Sequence, residues 1–134
     1  MNDVKSQYPG MECKVLTALE YLGIDGVTVT VAKNDALLAR MSPKGYELEA
    51  MTVQTSLPDA YNVFMKGNYP SVLALAHEMV HLHQMHRKDL SMDLKTGKAV
   101  WKGEEYDNGT PYEERPWEQE AFKEQKRIYK IIKI

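Results

Sequence analysis

A chain of 134 residues with 43% hydrophobic content falls in the size range of one domain and can bury a real core, so a single domain over residues 1–134 is expected. Its 17 Lys plus Arg against 19 Asp plus Glu leave a formal charge of −2, which excludes a global basic field for nucleic acid or anionic lipid. Cys13 is the only cysteine, which excludes an internal disulfide and every multi-cysteine zinc module and leaves His and carboxylate as the metal ligands to look for.

The first 25 residues carry acids and polar groups throughout and lack the apolar stretch of a secretory signal. The longest apolar run, VLALA at 72–76, is far below the roughly 20 residues that cross a bilayer. These features predict a soluble, cytoplasmic protein with no membrane or nucleic-acid partner. In residues 13–22, Val15, Leu16, Leu19 and Leu22 recur at helical spacing and Gly23 supplies a terminator, which predicts a first helix. VTVTVA at 27–32 has the period-two pattern of a strand with one buried face. NDALLARM at 34–41 reads either as a short helix capped by Asn34 or Asp35 or as an irregular crossing.

A turn at Ser42, Pro43, Lys44 and Gly45 precedes a predicted second strand over 46–54, with Tyr46, Leu48, Ala50 and Thr52 on one side. YNVFMK at 61–66 reads as a third strand closed by Gly67 and Asn68. Pro70 and Ser71 then open a strong helix to about residue 87, with Ser71 as its cap. Residues 88–115 form an irregular excursion with a strand or hairpin at 99–106, and Pro116 starts a last helix to about residue 131. The order predicts an α+β domain whose small, three- or four-stranded sheet packs on the helix after Ser71.

That helix carries His77, Glu78, Met79, Val80 and His81, the pattern HExxH. Residues four apart on a helix have Cβ atoms about 5–6 Å apart on one face, so two imidazoles can converge on one Zn²⁺. The Glu between them lies about 100° around the helix, where it reaches a water beside the metal without ligating it. Val72, Leu75, Ala76, Met79 and Leu82 fall on the opposite side and are assigned to the core, and His83 and His86 on or near that side are read as structural or partly exposed rather than as ligands. A catalytic zinc needs a third protein ligand and an open position. All four histidines lie on this helix, so the third ligand is a carboxylate, and the final helix offers Glu118 and Glu120, which point about 200° apart.

With Glu118, Gln119, Glu120 and Ala121 following HExxH as E-x-x-A, the sequence resembles the gluzincin metallopeptidases, whose small versions include minigluzincins, the ImmA/IrrE-type peptidases and related phage-encoded domains. The resemblance spans roughly residues 27–130 and implies a zincin-like fold, one catalytic Zn²⁺ on His77, His81 and Glu118, and Glu78 as general base. The implied activity is hydrolysis of a protein or peptide by a monomeric enzyme, an exposed strand such as YNVFMK pairing with the substrate. Tyr106, Tyr112 or Arg115 would supply an oxyanion donor from the segment before the ligand helix. Many gluzincins place an Asp four residues after the ligand Glu to orient the first His, whereas this chain has Phe122, so the partner of His77 is expected to be another group such as a backbone carbonyl. The alternative expectation is a catalytically weak or inactive zincin that serves as a metal-stabilised binding module.

Overall fold

Alternation of Val and Thr puts Val29 and Val31 on one side of strand β2 (Thr28–Lys33), and both are fully buried. In the computed structural model, which describes residues 1–133, β2 belongs to a four-stranded sheet. The other strands are β1 (Asp3–Ser6), β3 (Ala50–Gln54) and β4 (Ala60–Met65), and the order across the sheet is β1-β2-β4-β3. β1, β2 and β4 are parallel, and β3 runs antiparallel to β4. Val29 pairs with Tyr61 and Val31 with Val63, so the buried face continues through Tyr61, Val63 and Met65 and reaches Ala50 and Thr52 on β3.

Two expectations about this sheet are corrected. The second strand begins at Ala50 rather than residue 46, although the alternation runs on: Ala50 lies opposite the last residue of β4, Met65, and beyond it the ladder has no further residues to pair. The Glu49 carbonyl takes the Lys66 N–H at 3.0 Å and the chain leaves the sheet. Nor does YNVFMK present a free edge, because β4 is paired on both sides; the open edge on that side of the sheet is β3. β1 has no hydrophobic period to announce it, with Asp3 and Lys5 exposed and Val4 and Ser6 half-buried, and only the edge of β2 gives it partners.

The helices follow their local signals. α1 (Met11–Tyr21) stops where Gly23 adopts φ 72°, a left-handed turn that glycine accepts without steric cost. α2 (Asp35–Met41) resolves the ambiguous segment as a helix, with Asn34 Oδ1 accepting the Leu37 N–H at 3.1 Å. α3 (Val72–His86) carries HExxH and is capped by Ser71, whose Oγ accepts the Ala74 N–H at 3.1 Å. α4 (Pro116–Ile132) begins with a proline in its first turn and buries Trp117, Ala121, Ile128 and Ile132. α3 packs between β3 and α4, so every residue from Leu75 to Leu82 is buried, those of its polar side included.

The excursion holds a separate antiparallel meander of β5 (Leu90–Met92), β6 (Ala99–Trp101) and β7 (Glu104–Tyr106). Lys102 at φ 50° and Gly103 at φ 86° close the β6–β7 hairpin in two left-handed residues, the turn whose twist suits paired strands. The fold is thus mixed α+β with two small sheets. Among the described residues no helix is long and apolar enough to cross a membrane. Leu82 is fully buried on α3, and Leu82→Ala is expected to cost about 2–5 kcal/mol, read as a lower urea midpoint at unchanged slope.

Candidate functional site

HExxH places His77 and His81 one turn apart on α3, and their Nε2 atoms lie 3.1 Å from each other. α4 packs antiparallel alongside and brings the Glu118 Oε1 to 2.8 Å from His77 Nε2 and 3.1 Å from His81 Nε2. One carboxylate oxygen and two imidazole nitrogens therefore meet at one point. Glu78 stands beside them: ligand-type atoms of His77, Glu78 and His81 all fall within 4.8 Å of one another, a group that could hold a metal ion. Glu120 points away and is bound by the Arg87 guanidinium and by Gln84. His83 and His86 are half-buried elsewhere on α3, with His86 Nδ1 3.7 Å from Asp59 Oδ1.

Each imidazole is held from behind. His77 Nδ1 lies 2.6 Å from Gln125 Oε1, and His81 Nδ1 lies 2.8 Å from Gln84 Oε1. The expected backbone partner of His77 is thus replaced by a side-chain amide, while Phe122 packs against the His77 ring at 4.7 Å between centroids, tilted by 59°. The signal for Gln125 was present in the sequence, since it lies seven residues after Glu118 and so on the same face of α4. Thr52 on β3 supplies a further contact: its hydroxyl is 2.8 Å from Glu78 Oε1 and 3.1 Å from the Glu78 carbonyl, with one proton to share between them. Nothing in the spacing of Thr52 and Glu78 announces that pairing, which depends on how the sheet lies against α3.

The three candidate oxyanion donors separate cleanly. Tyr112, in a 3₁₀ turn over Tyr112–Glu114, donates its hydroxyl to Glu118 Oε1 at 3.0 Å. Arg115 stacks on Tyr112 and donates to the Thr110 carbonyl, and Tyr106 packs on Trp117 with its hydroxyl toward Glu104. Tyr46 stacks on Tyr112 at 4.6 Å and donates to Glu113, tying the loop before β3 to the turn before α4.

Electrostatics in this cluster are strongly coupled. Burial pushes the Glu78 carboxyl up, against the pull of both imidazoles and the Thr52 hydroxyl. Burial alone would depress His81, but the Glu118 charge and hydrogen bond raise it to about 10. Glu118 resists its own burial and is held well below the usual carboxylate range by His81 and by hydrogen bonds from both rings. Burial and the Glu118 charge push the Tyr112 phenol far up, so it remains a donor.

A cleft of about 1020 Å³ opens onto the cluster. Its walls include Ala50 and Thr52 of β3, Leu73 at the start of α3, and Phe122 of α4. Comparison of the chain with protein-family models, curated protein sequences and solved structures finds no match.

Proposed function

We propose that this chain is a zinc-dependent peptidase of the gluzincin type that hydrolyses peptide bonds in a protein or peptide. The observation that carries the reading is the convergence of His77 Nε2, His81 Nε2 and Glu118 Oε1 to within 2.8–3.1 Å, beside a buried Glu78 and on the wall of a cleft. Ring N–H groups can serve the two contacts to Glu118 Oε1, but the 3.1 Å approach of the two Nε2 atoms then sets donor against donor, whereas one shared cation suits all three contacts. Ligands about 2.0–2.1 Å from a tetrahedral zinc lie roughly 3.3 Å apart, so a small outward shift suits the set to the ion. Two imidazoles and one carboxylate also match the donor set of catalytic zinc. A zinc ion held by these residues would lower the pKa of a bound water to about 7 and polarise a carbonyl.

The chain's own groups do the rest. Glu78 takes the proton of the attacking water and returns it to the leaving amine; burial keeps its carboxyl basic enough for that exchange, and Thr52 keeps it oriented. Tyr112, whose hydroxyl donates to Glu118 Oε1 at 3.0 Å, is the donor assigned to the developing oxyanion, and it turns from Glu118 to serve it. An extended substrate pairs with the open edge of β3, which borders the cleft.

The direct test is metal analysis of protein purified without chelator, together with hydrolysis of an unfolded protein substrate. About one zinc per chain, and activity lost to a chelator and restored by zinc, are expected; a chain that binds no zinc overturns the reading. A pH profile adds a second check. Activity should fall as pH falls through the Glu78 pKa, because the base must be ionised. Thr52→Val removes a donor that lowers that pKa, so the acidic limb of kcat/KM is expected to move to higher pH.

A further inference from the structure

Gln84 plays no part in the hydrolysis just described, yet it is a fully buried carboxamide three residues past His81. Its Nε2 donates to the Trp117 carbonyl at 3.0 Å and to Glu120 Oε1 at 3.1 Å. Neither acceptor can donate in return, so turning the amide round would set its oxygen against two others. Oε1 is therefore committed to His81 Nδ1 at 2.8 Å, and that nitrogen must carry the hydrogen. The orientation is reinforced from outside: Glu120 is bound by the Arg87 guanidinium, whose Nε donates to Asp89 Oδ2 at 2.6 Å. Asp89, Arg87, Glu120 and Gln84 form one run of polar contacts from the surface to the imidazole.

We infer that Gln84 is a positioning residue that locks His81 in the Nδ1–H tautomer and, backed by Glu120 and Arg87, aims His81 Nε2 at the point it shares with His77 and Glu118. Glu120 thereby acquires a role: it is not the third ligand but the group that orients the amide behind the second one. The inference rests on the zinc reading above and adds to it a determinant that lies outside the ligand set. A carboxamide suits this position because Trp117 O and Glu120 both need a donor, which a carboxylate at residue 84 could not supply while ionised.

The test is zinc affinity, measured by competition with a chromophoric chelator, for wild type, Gln84→Met, Glu120→Ala and Glu120→Gln. The visible spectrum of the cobalt-loaded proteins and urea unfolding of the metal-free proteins are recorded alongside. Gln84→Met keeps the length of the side chain and removes the acceptor, and is expected to weaken zinc binding about 10–100-fold with an altered cobalt spectrum. Glu120→Ala is expected to weaken binding in the same direction, and Glu120→Gln, which keeps an acceptor for the amide, to restore it. A folded Gln84→Met protein with wild-type zinc affinity and cobalt spectrum overturns the inference, as does a variant that loses only urea resistance. Should Gln84→Met fail to fold, Glu120 decides: equal affinities for Glu120→Ala and wild type overturn it. Wild type that binds no zinc removes the zinc reading and this inference together, whereas tight wild-type binding with unaffected variants removes this inference alone.

Discussion

Glu78→Gln is expected to slow peptide hydrolysis by about 10²–10⁴-fold, the share that a positioned acid–base group contributes, with zinc content unchanged. The substitution preserves shape, and the new amide oxygen can still accept the Thr52 hydroxyl that holds Glu78 Oε1 at 2.8 Å. What it removes is an oxygen able to take a proton. Turnover of an unfolded protein substrate and zinc per chain by atomic absorption, on the same preparation, separate the outcomes. Loss of zinc together with activity would make Glu78 a ligand, which its place within 4.8 Å of both imidazoles makes a real contrast. A variant that keeps the biological activity in full would instead mark the chain as a metal-stabilised binding module.

Glu118→Ala is expected to weaken zinc binding by more than about 100-fold, because loss of a partner behind a ligand already costs about 10–100-fold. The same substitution should destabilise the metal-free protein by about 3–5 kcal/mol, the cost of removing one member of a buried ion pair, here that with His81. The pH dependence has a definite sign. Glu118 is depressed in the folded chain, so its contribution is present above the unfolded Glu value, about 4.3, and is lost as pH falls through its lower folded value. His81 is raised to about 10, so its contribution is full below the unfolded His value and is lost as pH rises through about 10. The stability gap between wild type and Glu118→Ala should be widest between about pH 4.5 and 6.5 and should shrink toward pH 10. Urea melts in the presence of a chelator at pH 5.5 and pH 10 measure it; a gap that does not depend on pH would sink the assignment of this pair.

Much of this was decided along the chain. Helix spacing, the Ser71 cap and the HExxH run place two imidazoles and Glu78 on one stretch of α3, because i and i+4 share a helix face in any tertiary setting. Alternation in VTVTVA likewise commits Val29 and Val31 to one buried side. Other features needed the packed structure. The choice between Glu118 and Glu120 was open in the sequence; the packing of α4 on α3 put Glu118 at the imidazoles and Glu120 at Arg87. Strand β1, the end of β3 and the interior place of β4 depend on which strands meet, a long-range matter that local period does not encode. Gln84 and Thr52 are silent in the sequence for the same reason, and helical spacing puts Gln125 on the Glu118 face without naming His77 as its partner: amides and hydroxyls are common on surfaces, and only burial beside a charged group turns them into partners. The sequence alone thus determined the HExxH helix and the acid it carries, through geometry internal to one helix, while which carboxylate of α4 meets the imidazoles, and which groups hold those rings, were decided by contacts between elements far apart in the chain.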